Sequence, residues 1–219
     1  MGNRDLASWS HMWFVAAHRQ ATRALGLAAD GPSGLLDVEL LMYVEALNNL
    51  RRGAEVVLPS EHQTLTLFDD CVPDLRAVRN QVEHFDEYVS GRGRLQKRQY
   101  RDGLQHAFWT TGVDGANHTI DGLTSVNCRL HIYSAGFRSL EGSSDEWSTV
   151  QYEIDVVTSL CSAIPLARDL VAQADLSADG STFVREAEEW AATSKADYWF
   201  SRLGAGRATR LRSALALPH

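Results

Sequence analysis

Long apolar runs are missing from this sequence. No stretch of about 18 or more apolar residues occurs, so no segment reads as a membrane span. The opening MGNRDLASW lacks the apolar core of a secretory leader, and Met1-Gly2 begins like a myristoylation signal with Leu6 where Ser or Thr belongs. Cysteine is scarce. Cys71, Cys128 and Cys161 are odd in number and far apart, which argues against a disulfide framework and points to a reducing, cytoplasmic setting. Metal-ligand spacings are absent: there is no H-E-x-x-H and no C-x-x-C, so neither metal nor cofactor is expected. His11 and His18 read as surface or partly buried polar residues. There is no P-loop and no nucleophile elbow, and Gly91-Arg92-Gly93 fails as a dinucleotide fingerprint because residue 96 is Gln. Positive charge is not in excess either. A net charge of -7 argues against a general nucleic-acid coat, while leaving room for a local basic site.

What is there is an ordinary globular composition, 44% hydrophobic and 22% charged over 219 residues, enough for one substantial core. The expectation is one helical domain over 1–219. Trp9, Met12, Trp13, Ala16, Ala17 and Ala24 keep helical spacing over 6–26. Leu36, Leu40, Tyr43, Leu47, Leu50, Ala54 and Val57 step by four and three over 35–57, ending before Pro59. Phe68, Cys71, Leu75, Val78, Val82, Phe85 and Val89 repeat the pattern, predicting a third helix with a continuous seam, closed by Gly91 and Gly93. Two consecutive seams suggest an antiparallel pair or a seam shared with a second subunit.

Residues of about 104–135 change character. Thr, aromatic and β-branched residues with Asp114-Gly115 as a turn signal predict a small β-hairpin insertion at roughly 106–122, decorating the bundle. The following VNCRLHIYSAG reads equally as strand or helix. After a polar loop at 139–148, Val150, Ile154, Val157, Leu160, Cys161, Ile164 and Val171 predict a fourth helix, and Phe183 to Trp199 a fifth over about 181–203. The basic tail, about 205–219, reads as loose.

The stretch RNQVEHFDEY, 79–88, carries the chemistry. Arg79 and His84 are separated by four residues, with Asn80 next to the arginine. The spacing R-x4–6-H occurs four times, at Arg4–His11, Arg79–His84, Arg101–His106 and Arg212–His219, and of these Arg79–His84 alone falls in mid-helix with its apolar stripe intact. It resembles the motif of the HEPN family of small helical domains. That resemblance implies a mainly α fold, a four- to five-helix HEPN-like bundle carrying the β-hairpin insertion. It implies a metal-independent endoribonuclease of a toxin or antiviral defence system, acting as a homodimer, with an antitoxin or defence-system protein as possible partner. Arg79 would clamp phosphate, His84 would be the acid/base and Asn80 would orient it or touch phosphate. The family's tyrosine two places after the histidine is not matched, since Tyr88 is four places on.

The residues themselves allow this chemistry. Histidine moves protons near neutral pH and arginine stabilises charge developing on phosphate. The adjacent GRGRLQKRQYR holds Arg92, Arg94, Lys97, Arg98 and Arg101 without an acid, a candidate RNA track, and Tyr100 offers a ring for a base. Five residues of helix, however, set Arg79 and His84 about 140° apart and about 7.5 Å along the axis, so one helix aims them poorly at one phosphate. Glu83, Asp86 and Glu87 also surround His84, and Arg79 can pair with Glu83. The alternatives are a non-catalytic HEPN-like binding or scaffold protein, and a small-molecule enzyme with a pocket near Trp109, His106 and His118.

Overall fold

The computed structural model describes residues 2–30, 34–138, 146–176 and 178–217. It is mainly α-helical, with one three-stranded antiparallel sheet. Helices α1 (Asn3–Asp30) and α2 (Gly34–Val57) form a long antiparallel pair. The α2 stripe faces the core as its spacing predicts. The α1 stripe does so only in part: Ala17 and Ala24 are buried and Ala16 half-buried, but Trp9, Met12 and Trp13 are exposed, and Ala7, Phe14, Ala21 and Ala28 are buried in their place. Small side chains let the two backbones approach, closest at Gly53, where a Cβ would come within 2.8 Å of Ser10 Cβ. Bulk, rather than hydrophobicity, decides which face of α1 turns inward.

The predicted third helix is in fact three, and a further helix follows its expected end. Helix α3 (Gln63–Cys71) stops at Val72-Pro73, where proline lacks an N–H and constrains its predecessor. Helix α4 (Leu75–Glu83) follows, and its first residues are tied to the sheet by Asp74, whose carboxylate accepts the Glu153 N–H at 3.0 Å. The helix breaks again at His84 (φ -110°, ψ 33°), and α5 (Phe85–Val89) and α6 (Arg94–Arg101) continue separately. The seam expected from Leu75 to Val89 is therefore interrupted: Leu75 and Val78 are buried, Val82 half-buried, and Phe85 and Val89 are 59% and 69% exposed.

The sheet is a meander of β1 (Gln105–Ile120), β2 (Leu123–Arg138) and β3 (Glu146–Asp155). The residues left open between strand and helix are strand. The hairpin turns at Asp121-Gly122, both at positive φ (51° and 79°), not at Asp114-Gly115. Asp114 lies in mid-strand, 2.8 Å from His131 Nε2, and Glu153 of β3 approaches the other ring nitrogen at 3.5 Å. Gly115 passes within contact of the α1 C-terminus, a Cβ there meeting Ala28 O at 3.4 Å. The pair that looks like a turn signal thus serves a cross-strand contact to His131 and a close approach to α1. Nor does the hairpin only decorate the bundle, since Cys128, Leu130, Ile132 and Ile154 belong to the same buried cluster as the helices.

The fourth helix starts later than predicted. Val150 and Ile154 lie on β3, and α7 (Val156–Ala174) begins where Asp155 caps the N–H of Thr158 at 2.8 Å. Fourteen of its 19 residues are buried, which makes α7 the central helix. The fifth divides at Lys195 (φ 54°) into α8 (Ala178–Thr193) and a 3₁₀ segment, Ala196–Leu203. The tail is not loose through residue 217. Helix α9 (Ala205–Leu215) buries Ala208, Leu211 and Leu215, and Arg210 Nη2 donates to Asp70 Oδ2 at 2.6 Å. Among the described residues no helix is long and apolar enough to cross a membrane.

Candidate functional site

The motif residues occupy the end of α4. Arg79 is held on two sides. Its Nη2 donates to Glu83 Oε1 at 2.8 Å, and Glu45 of α2 lies 3.5 Å from its Nε, which makes no hydrogen bond. Asn80 is exposed and its carbonyl accepts the His84 N–H at 3.2 Å, closing the helix. The His84 side chain is 54% exposed. Its Nε2 is 3.8 Å from Glu83 Oε2 and its Nδ1 4.0 Å from Glu87 Oε1. Phe85 and Val89, both bare, follow it. Within one protomer Arg79 and His84 flank one carboxylate oxygen: Glu83 Oε2 is paired with Arg79 Nη1 and lies 3.8 Å from His84 Nε2. Arg79 and Asn80 open onto a cleft between α2, α3 and α4, which His84 does not line.

The basic segment folds into a single stripe. Gly93 donates its N–H to Gln96 Oε1 at 2.9 Å, and Gln96 Nε2 donates to the Tyr88 carbonyl at 2.7 Å, so α6 is fixed through its buried polar face of Gln96 and Gln99. Arg94, Lys97, Arg98 and Arg101 then recur at helical spacing on the opposite face, in solvent, and none makes an ion pair among the described residues. Tyr100 is exposed at the edge of that stripe. Arg92 precedes it, its Nε donating to Ser90 Oγ at 3.0 Å.

Other groups singled out in the sequence lie apart. Trp109 Nε1 donates to Gln81 Oε1 at 2.9 Å, beside the Tyr88 ring. His118 makes tilted and edge-on ring contacts with Tyr198 and Trp199 at the far end of β1, nine residues and about 30 Å of strand away. The two do not line one pocket, and the His106 side chain lies outside the described residues. All three cysteines are buried thiols. Among the described residues no group of three or more His, Cys, Asp and Glu side chains is placed to hold a metal ion.

Two arginines escaped notice in the sequence. Arg52 and Arg76 line the same cleft as Arg79. The signal was there in Arg76-x-x-Arg79, one helical turn apart, but its partner Arg52 lies on another helix, which only the tertiary fold brings close. No protein-family model, curated protein or solved structure matches the chain.

Proposed function

We propose that the chain binds RNA along α6 and, as a HEPN-like homodimer, cleaves it without a metal at His84. The unpaired stripe of Arg94, Lys97, Arg98 and Arg101 carries the reading. In a protein of net charge -7, four clustered cations without carboxylate partners are a local field for a polyanion. His84 lies at the start of α5, a short chain segment before this stripe, and is exposed. The bare Phe85 and Val89 beside it offer a seam to a second copy, which would bring two histidines and two arginines to one groove.

The reaction balances within the site. One neutral His84 takes the proton of a 2′-hydroxyl as that oxygen bonds to phosphorus. The phosphorus–O5′ bond breaks, and the same His84, now protonated, gives that proton to the departing oxygen. The products are a 2′,3′-cyclic phosphate and a 5′-hydroxyl. Arg79 of the opposing copy stabilises the charge on the phosphoryl oxygens.

A second reading has its own support. Glu83 and Glu87 lie within 4.0 Å of the His84 ring, and Glu83 and Glu45 occupy Arg79, an arrangement that suits a non-catalytic binding or scaffold protein. Incubation of a mixed single-stranded RNA pool with the purified protein in EDTA separates the two. The nuclease reading expects cyclic-phosphate ends, and a loss of about 10²-fold or more in His84→Ala. Charge reversal at Arg94 and Arg98 should weaken binding and flatten its salt dependence by about two phosphate contacts. Equal background cleavage by wild type and His84→Ala would leave the binding reading standing.

A further inference from the structure

The cleft between α2, α3 and α4 encloses about 800 Å³, and its unsatisfied groups are all donors. Asn48, on α2, is only 7% exposed, yet its Nδ2 has no acceptor. Arg79 Nε is also buried without a hydrogen bond, Glu45 Oε2 standing 3.5 Å from it. The two carboxylates that line the cleft are already engaged. Asp69 receives a two-pronged guanidinium contact from Arg51, 2.8 Å at each oxygen, and Glu55 takes the third Arg51 donor at 2.7 Å. Arg52 and Arg76 line the cleft and are exposed, and neither makes an ion pair or hydrogen bond among the described residues. A buried donor without an acceptor is unfavourable, so the cleft is one acceptor short at Asn48 and holds a second donor, Arg79 Nε, with no well-formed hydrogen bond.

We infer that this cleft binds a terminal phosphate group, the phosphate monoester of a nucleotide or of an RNA 5′ end. A monoester carries about -1.5 to -2 charges at neutral pH, which matches the two unpaired guanidinium groups. An internal diester, with a single charge, leaves one of them unmatched. The phosphate oxygens supply the acceptor that Asn48 Nδ2 lacks and the hydrogen bond that Arg79 Nε does not make to Glu45. Val72, Pro73 and Leu75 give the same cleft an apolar wall, and its volume leaves room there for a nucleoside. The site shares Arg79 with the proposed cleavage site, but neither His84 nor the α6 stripe lines it, and its test reads binding rather than cleavage.

Titration calorimetry on the full chain with adenosine 5′-monophosphate and with adenosine tests this. The monophosphate should bind and adenosine should bind at least about tenfold more weakly. Arg52→Ala and Arg76→Ala, both at exposed positions and checked for unchanged thermal unfolding, should each weaken the monophosphate by about tenfold or more, with Arg76→Lys recovering part of the loss. RNA oligonucleotides with a 5′-phosphate or a 5′-hydroxyl identify the source. Tighter binding of the phosphorylated RNA than of the monophosphate names the RNA end. Equal binding of the two RNAs, with the monophosphate bound in the cleft, names a free nucleotide. The inference is overturned if neither phosphorylated probe binds at millimolar concentration, or if the Arg52→Ala/Arg76→Ala double variant binds the monophosphate as wild type does.

Discussion

Arg79 shows how a residue can be structurally engaged and still carry little stability. Its ion pair with Glu83 is an i,i+4 helix pair on a partly exposed face, and such pairs are screened by solvent. An Arg79→Ala/Glu83→Ala double-mutant cycle in urea should give a coupling of about 0.3–0.5 kcal/mol. A coupling several times larger would make Arg79 chiefly a structural tie. The thiols behave differently. Burial pushes Cys71 from 9.0 up to about 11 and Cys128 up to about 12, and burial also raises Cys161 and the Tyr43 phenol, which is hydrogen-bonded to Ser159 Oγ at 2.8 Å. These folded-state values lie above the unfolded ones, so the unfolded chain releases its protons first. The contribution is fully present below about pH 9 and is lost as pH rises from there toward the folded values, each group adding a slope of about 1.4 kcal/mol per pH unit. Urea midpoints followed from about pH 8 to about pH 10.5 should fall, and less steeply for Cys128→Ala. A flat profile would contradict the burial of these groups.

At the scale of elements, what the sequence made legible and what it hid follow from the kind of signal each element emits. Helix α2 is plain in its spacing because Leu36, Leu40, Tyr43, Leu47 and Leu50 all face the core. Helix α1 misleads, because its buried face is mostly alanine while its tryptophans look outward. Strand β3 was hidden: Val150, Ile154 and Val157 satisfy a helical spacing by coincidence, whereas Val150, Tyr152 and Ile154 alternate along the strand. The mainly α fold was thus readable, but the site was legible only as a short motif. Its cleft assembles side chains from three helices and has no linear signature. Two glycines test this account of the elements. Gly53→Ala should destabilise by about 1–3 kcal/mol despite alanine's better helix propensity. The added methyl meets Ser10 at its Cβ, and rotating the hydroxyl away from the Leu6 carbonyl does not remove that contact. Gly122→Ala should cost about 1 kcal/mol because the turn needs positive φ, while Asp121→Asn should be tolerated. Thermal melts of the three variants decide both points, and a stabilised Gly53→Ala would refute the close helix approach.

At the scale of the whole molecule, α9 closes the core that α7 centres. Leu211 is fully buried, so Leu211→Ala should cost about 2–5 kcal/mol, and truncation after Gly204 should lower the urea midpoint further. A truncated chain as stable as the full one would show that the C-terminal helix is not part of the fold. The same scale sets the central claim, because Glu83 stands between Arg79 and His84 within one protomer and the proposed site takes its arginine and its histidine from two copies. The most direct measurement mixes two dead variants, Arg79→Ala and His84→Ala, lets the subunits exchange, and assays RNA cleavage in EDTA. If each site takes its arginine from one copy and its histidine from the other, every mixed dimer regains one intact site. The mixture should then recover about a quarter of wild-type activity while each variant alone stays inactive. No recovery from the mixture, with the wild type active, would contradict the shared site.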